Sequence, residues 1–573
     1  MRILSSLICF LASLLMRFFS LVALLAGLSL ATAEAAPRPP ARPAGTVRRH
    51  LIYFRDKAGT PFTVGQPQAF LSARAIQRRQ RQGIAVQPRD LPVSPSYVAQ
   101  VKAVPGVQLW YTSRWFNAAV VACDSAALGQ LRAKPFVVSA QTLNRNAKTP
   151  PRVEVVKEAA ETQTTAQRTA HDKTYGQAFW QANMIGAVAL HNAGFRGEGM
   201  HIAVLDAGFP GVNQTAPFAS LRNENRLLST FDFVDHDRGV YEKNSHGTNT
   251  LSCMGANQAN VYIGTAPKAS YHLLLTEDVF SEHPIEEANW LIAAEYADSA
   301  GVDIISSSLG YTTFDAPSRD HTYADMNGRT ALASRAATVA ARTGILVVNS
   351  AGNDGNNSWR YIGAPADADS VLTVGAVDSM GLRAAFSSVG PTSDGRIKPN
   401  LSAQGVIAAI VSPSGLVGRG NGTSFACPVL AGMAASFWQA NPTLTAQQVL
   451  QFLQQSASQA TAPNNLIGYG IPNAERANIL AKTGTPTAGG QLSIFPNPTS
   501  RELYLSLPAD LRNQPLHVVI HDVRGALIGE QLLAPSGAAQ VPLRVPALRS
   551  GMYLCTVEPQ GGGKTHTLRF LQY

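Results

Sequence analysis

Residues 285–308 read IEEANWLIAAEYADSAGVDIISSS. A helical stretch with apolar residues at three- and four-residue spacing runs directly into a short apolar run of β type. Outward from this unit the same alternation recurs. Short β runs stand at 201–206 (HIAVLD), 261–266 (VYIGTA), 271–275 (YHLLL), 344–350 (GILVVNS) and 371–377 (VLTVGAV), separated by helical stretches. Strands that are apolar on both faces need cover on both faces. The pattern over 176–481 therefore predicts an α/β unit, a parallel sheet with helices on each side.

Two polar stretches cut the chain. Residues 144–175 have no sustained apolar period and residues 482–490 (KTGTPTAGG) are rich in Gly, Thr and Pro, so both read as linkers. Before them, 47–143 mixes strands (HLIYF, VQLWYT, FNAAVVAC, FVVSA) with helical stretches (QAFLSARAIQRRQ, SAALGQLRA), the pattern of a small α+β domain. After them, 491–573 holds short strands (QLSIF, ELYLSL, LHVVIHD, MYLCTVE, HTLRFL) between Pro, Gly and Asn turns, which predicts a small all-β sandwich. No internal repeat at a fixed period is visible.

The chain has 573 residues, 45% hydrophobic and 15% charged, which excludes wholesale disorder and a disulfide-stapled miniprotein. Its net charge of +10 is unevenly placed. Residues 36–148 hold 17 Lys/Arg against 3 Asp/Glu, a net of +14, residues 1–35 add +1, and the remainder carries −5. The basic segment lacks a basic block interleaved with stacking aromatics, so nucleic acid is not an expected partner.

At the N-terminus, Phe18 to Leu30 is an uncharged, mostly apolar run preceded by Arg2 and Arg17 and followed by Ala31, Ala33 and Ala35. That is the layout of a cleaved secretory signal over 1–35, tidier still if it begins at Met16. The run is short for a membrane span, so no transmembrane anchor is expected in the mature form, although a longer stretch counted through Arg17 leaves an uncleaved anchor open. Of the five cysteines, Cys9 leaves with the signal. Cys123, Cys253, Cys427 and Cys555 have no CxxC or zinc spacing and read as buried thiols, with a Cys253–Cys427 bridge left open.

Three segments bear on chemistry. In HIAVLDAGF, Asp206 ends a β run, where α/β sheets build their sites; it can orient an imidazole or simply cap a turn. In SHGTNTLSCMGAN, His246 precedes a run of small and apolar residues, as an exposed helix-start imidazole, catalytic or merely capping. In GNGTSFACPVLAGMAASFW, Gly422 and Thr423 lead tightly to Ser424, with Pro428 in the first helical turn. A serine there has its own amide and the positive helix end beside its oxygen, which suits a developing oxyanion.

Together these segments resemble the subtilisin-like serine proteases, the subtilase family, over roughly 176–480 and in the chain order Asp, His, Ser. HGT and GTSFACP are similar to that family's HGTxxA and GTSMAxP motifs. The resemblance implies a catalytic triad of Asp206, His246 and Ser424 and, from VVNSAGNDG, Asn353 as oxyanion donor. It further implies Ser308, Leu309 and Gly310 as the edge that pairs with substrate, Ser350, Ala351 and Gly352 as a pocket wall, and a cis peptide at Pro365. No cofactor is needed for this chemistry. Calcium is common in the family, but the acidic stretch Asp232, Asp235, Asp237 and Glu242 does not by itself make a site, and no metal is assigned. Two departures stand out: DAG, in which Ala207 brings no hydroxyl to the turn, and Phe425 in place of the usual Met.

By the same resemblance 47–143 is a propeptide that assists folding and blocks the cleft, its charge complementing the mildly acidic remainder, with cleavage between about 140 and 175. IFPNPTSRELYLSL, LRSGMYLCTVE and the terminal RFLQY resemble the type A sorting domain of the type IX secretion system. The expectation is a secreted or surface-attached serine endopeptidase of a Gram-negative cell, made as a zymogen. Its expected partners are protein or peptide substrates, its own propeptide and the type IX secretion machinery. A surface binding protein with a degenerate protease core and a serine esterase are the alternatives.

Overall fold

The computed structural model describes residues 46–146 and 173–483, and most of 492–572 in shorter segments. Residues 1–35, read from the sequence as a signal, most of the two stretches read as linkers and the Pro-Asn-Pro at 496–498 lie outside the described residues. Among the described residues no helix is long and apolar enough to cross a membrane.

The first domain contains β1 (Arg48–Phe54), α1 (Ala73–Arg81), β2 (Gln108–Ser113), β3 (Ala118–Cys123) and β4 (Val137–Asn146). The strands form an antiparallel sheet in the order β2-β3-β1-β4. The helix expected from QAFLSARAIQRRQ begins late, because the Ser72 hydroxyl accepts the Ala75 N–H at 3.1 Å and caps it there. A helix over Pro95–Lys102, with proline in its first turn, was not expected from the sequence. The sheet alternates with period two. Ile52, Ala119 and Val121 pack beneath the domain's own helices, whereas Leu51, Ala118 and Val120 face the next domain's core.

That next domain is built on a seven-stranded sheet. In chain order its strands are β5 (His201–Asp206), β6 (Leu227–Asp232), β7 (Ser270–Leu275), β8 (Ile304–Ser307), β9 (Leu346–Ser350), β10 (Leu372–Val377) and β11 (Leu401–Gln404). They pair in parallel, in the spatial order β11-β10-β9-β8-β5-β7-β6. Ile202, Val204, Ile304 and Val348 enter one core, under α2 (His246–Gly255) and α5 (Thr423–Ala440). Ala203, Leu205, Ile305 and Val347 enter the other, under α3 (Ile285–Ala300) and α4 (Leu332–Arg342). Two covered faces account for the unbroken apolar runs.

The expected strand VYIGTA does not join this sheet. Tyr262–Ile263 pairs instead with Asn257–Gln258 in a separate two-stranded ribbon. Asn260 turns the chain back with a φ of 65°, so the run is spent in a hairpin. The two edge strands, β6 and β11, were not expected; β6 is only partly buried and carries polar residues.

The first domain lies against α3 and α4, and carbonyls at and just beyond their C-terminal ends receive its cations. Arg78 donates to the Val302 carbonyl at 2.6 Å and the Thr343 carbonyl at 3.3 Å. Arg78, Arg79 and Arg114 converge on buried Asp298. Cations at a helix C-terminus oppose its negative dipole end. Gly301 closes α3 with a φ of 85°, and a Cβ there would come within 2.7 Å of the Ala75 nitrogen, so α1 can approach only over glycine.

The C-terminal part forms a three-stranded sheet (Ser493–Phe495, Leu503–Ser506, Gln540–Leu543) and a four-stranded one (Leu516–Asp522, Leu527–Leu533, Gly551–Pro559, His566–Gln572). Leu505, Val518, Val557 and Phe570 share one core between them, a small β sandwich. The four described cysteines are free and buried, so Cys253 and Cys427 are not bridged. Burial pushes both of these thiols up to about 12.

Candidate active site

The strand order reverses beside β5, which is flanked by β8 and β7, and ligands of parallel sheets bind at the C-terminal ends of strands near such a point. Asp206, the last residue of β5, stands there with no exposure to solvent. Its Oδ1 accepts the His246 Nδ1–H at 2.7 Å and the Ala207 N–H at 2.8 Å. Its Oδ2 accepts the Thr250 hydroxyl at 2.9 Å. Thr250 follows His246 by one helical turn on α2 and so presents its oxygen on the same face. The hydroxyl missing at Ala207 is thus made good by a backbone amide and by Thr250. Close approach of α2 depends on Gly247, where a Cβ would lie 2.3 Å from the Gly208 carbonyl oxygen and 3.0 Å from the Asp206 Cβ.

The His246 side chain keeps 32% exposure. Burial disfavours its charged form, but the charge and hydrogen bond of Asp206 outweigh this and hold its pKa above the ordinary histidine value. Ser424 lies in the first turn of α5. Its Oγ is 3.5 Å from the Ser308 carbonyl oxygen, and the Ser308 hydroxyl donates to the Ser424 carbonyl at 2.9 Å. Among the described residues no hydrogen bond joins His246 to Ser424. Phe425 bridges the two elements, its ring centroid 6.2 Å from that of His246.

Asn353 is exposed at the end of β9. Its Oδ1 accepts from the Thr423 N–H at 2.9 Å and the Thr423 hydroxyl at 3.0 Å, which leaves Nδ2 as the donor facing the turn before Ser424. Gly352, with a φ of 103°, donates its N–H to the same Thr423 hydroxyl at 3.2 Å. Ser350 and Ala351 are buried, as are Ser308 and Leu309, whereas Gly310 is exposed with open space around its Cα. The Ala364–Pro365 peptide is cis, as expected. In the acidic stretch, Asp232 accepts Lys243 Nζ at 2.7 Å, and Asp235 binds the same ammonium. Among the described residues no group of three or more His, Cys, Asp or Glu side chains is placed to hold a metal ion.

Three residues to which the sequence reading gave no role join the site: Thr250, which lies within the His246 motif, and Glu277 and Tyr311, which lie outside the three motifs. Glu277 follows the end of β7, and its Oε1 accepts the hydroxyls of Tyr311 at 2.7 Å and Thr276 at 2.8 Å. Burial lifts its carboxyl to about 7. An acid just beyond the apolar run YHLLL repeats the placement of Asp206 beyond HIAVL, and that parallel was the available sequence signal.

Residues 197–470 match the Subtilase family, residues 49–159 the Peptidase S8 propeptide domain of Bacteroidota, and residues 493–569 a secretion system C-terminal sorting domain. The chain is 33% identical over 280 residues to subtilisin NAT of Bacillus subtilis subsp. natto, a match covering 48% of this chain and 65% of that protein. It is 32% identical over 280 residues to the subtilisin of Bacillus pumilus, covering 48% of this chain and 90% of that protein. It is also 32% identical over 314 residues to the serine protease AprX of Bacillus subtilis (strain 168), covering 49% of this chain and 66% of that protein.

Proposed function

This chain belongs to the subtilase family, and on that premise we propose that it is a secreted serine endopeptidase, made as a zymogen, that cleaves proteins through Asp206, His246 and Ser424. The observation that carries the proposal is the buried Asp206 carboxylate 2.7 Å from the His246 Nδ1, at the strand ends where Ser424 begins its helix.

Ser424 Oγ attacks the scissile carbonyl carbon while its proton passes to His246 Nε2. Asp206 keeps its charge, holds the imidazole in the Nδ1–H tautomer and stabilises the imidazolium. The carbonyl oxygen, now an oxyanion, is held by Asn353 Nδ2 and the Ser424 N–H. Collapse of the tetrahedral adduct breaks the C–N bond, and the proton on His246 goes to the leaving amine. Water, deprotonated by His246, then attacks the acyl-serine ester; the C–Oγ bond breaks, His246 returns its proton to Ser424 Oγ, and the acid is freed. Substrate lies as an added strand along Ser308, Leu309 and Gly310, with the side chain before the cut against Ser350, Ala351 and Gly352.

In this reading 47–143 is a propeptide cut away between about 140 and 175, and 176–481 is the peptidase. Residues 1–35 direct export, and 491–573 commits the protein to type IX secretion, leaving it released or attached to the cell surface. The similarity of 49–159 and 493–569 to propeptide and sorting domains supports these roles. One observation favours a second reading, a binding protein with an inactive core: Ser424 faces the Ser308 carbonyl and not His246. Such bonds are often long in an unliganded site and tighten with substrate, which favours the enzyme. Digestion of an unfolded protein by the secreted product, abolished by Ser424→Ala, is the expected result; an uncut protein beside a cleaved ester would point to an esterase.

A further inference from the structure

Beyond β7 the chain turns through Thr276 and Glu277 at the same strand ends as the Asp206–His246 pair. The Thr276 N–H donates to the Asp206 carbonyl at 3.0 Å, tying this turn to the triad's strand. On the other side Tyr311, which follows Gly310 directly, holds Glu277 Oε1 through its hydroxyl at 2.7 Å. Tyr311 is itself fixed by its backbone, whose N–H donates to the Ala364 carbonyl at 2.8 Å. One carboxylate oxygen is therefore clamped between the triad and the end of the 308–310 edge. Oε2 takes no donor among the described residues, and Glu277 keeps partial exposure to solvent.

The electrostatic surroundings add to this. Asp206 opposes the charge on Glu277 and His246 favours it, while Glu277 and Glu282 both oppose the charge on Glu286. Glu286 is already committed, accepting the N–H groups of Asp278 and His283. The turn thus presents one carboxylate oxygen without a donor, and among the described residues no lysine or arginine pairs with it. Tyr311 adjoins the 308–310 edge and Thr276 is tied to the triad's strand, so a substrate strand laid along Leu309 and Gly310 with its carbonyl at Ser424 would bring its next upstream side chain toward the turn that carries Glu277.

We propose that Glu277 is a specificity-determining residue that selects a lysine or arginine in the substrate position immediately before the residue whose carbonyl is attacked. The proposal rests on the endopeptidase reading above. A charge-assisted hydrogen bond in a partly desolvated site favours the cognate side chain by about tenfold or more.

The test uses matured, secreted enzyme whose active sites are titrated with a fluorophosphonate, and two peptides that differ only by lysine or norleucine at that position. Norleucine keeps the aliphatic stem and removes the cation. The expected wild-type kcat/KM ratio is about ten or more in favour of lysine, falling to about two or less in Glu277→Gln, with most of the change in KM. Glutamine still accepts from Thr276 and Tyr311, so the turn is retained. Should that variant not mature, wild-type enzyme alone decides, because the lysine preference should fade as the pH drops below about 7 and Glu277 takes up its proton. A ratio near one in titrated wild-type enzyme, or a preference unchanged in titrated Glu277→Gln, overturns the proposal while leaving the protease reading intact. Wild-type protein that takes no fluorophosphonate overturns both.

Discussion

Replacing Asp298 by asparagine tests how the first domain is held. The side chain has no exposure and receives Arg78, Arg79 and Arg114. Arg78 and Arg79 are 2% exposed and Arg114 is 8% exposed, so removal of the charge strands three cations that water cannot reach. Breaking a buried pair costs about 3–5 kcal/mol. The lower figure applies here because each cation keeps another acceptor: the Val302 carbonyl for Arg78, Asp90 for Arg79 and the Glu295 carbonyl for Arg114. About 3 kcal/mol weakens binding by roughly 150-fold. The assay titrates residues 47–143 into a Ser424→Ala catalytic domain and follows the fluorescence of Trp115, which is buried in the shared core. Arg81→Ala is the control. Arg81 is 38% exposed and reaches Asp303 at 3.3 Å, so its loss should cost about 1 kcal/mol or less, at most about fivefold. An Asp298→Asn effect no larger than that of Arg81→Ala would refute the reasoning. The pH dependence has a definite sign. Burial raises the Asp298 pKa, but the three arginines outweigh it and hold the group below its ordinary 3.8. Its contribution is therefore present above about 3.8 and lost as the pH falls through the lowered value.

Three further outcomes follow from the site. Thr250→Val leaves Asp206 Oδ2 without its hydroxyl donor and should lower kcat/KM by about tenfold, the cost of one unsatisfied buried acceptor, while fluorophosphonate labelling of Ser424 persists at a reduced rate. Asn353→Ala should lower kcat by about 10²- to 10³-fold with little change in KM, the magnitude found for subtilisin itself; an unchanged kcat would remove Asn353 from the oxyanion site. Catalysis needs neutral His246, whose pKa lies above 6.5, so kcat/KM should be lost as the pH falls, with an apparent pKa above 6.5; an acid limb at or below that value would contradict the assigned Asp206 interaction.

The fold was legible where apolar runs are covered on both faces, as at His201–Asp206 and Leu346–Ser350, since a doubly buried strand leaves an unbroken pattern. It was illegible at Leu227–Asp232, an edge strand whose partial exposure admits Ser229 and Thr230, and misleading at 261–266, where Asn260 diverts an apolar run into a hairpin. At the site, Asp206 and His246 are brought within hydrogen-bonding distance, as their motifs implied. Their supports were less visible. Thr250 lies inside the His246 motif, but its role exists only once α2 is set against β5, and Glu277 and Tyr311 belong to turns with no fixed spacing. The complementarity of charge was legible as a total. That three arginines share one carboxylate depends on α1, β2 and α3 meeting, which composition does not encode.

The most direct test of the central claim is fluorophosphonate labelling with peptide mapping of the protein secreted by its host, wild type beside Ser424→Ala. The account predicts label on the Ser424 peptide of a product that has lost its residues up to a point between about 140 and 175, and none on the variant. Fully processed wild-type protein that takes no label would contradict it.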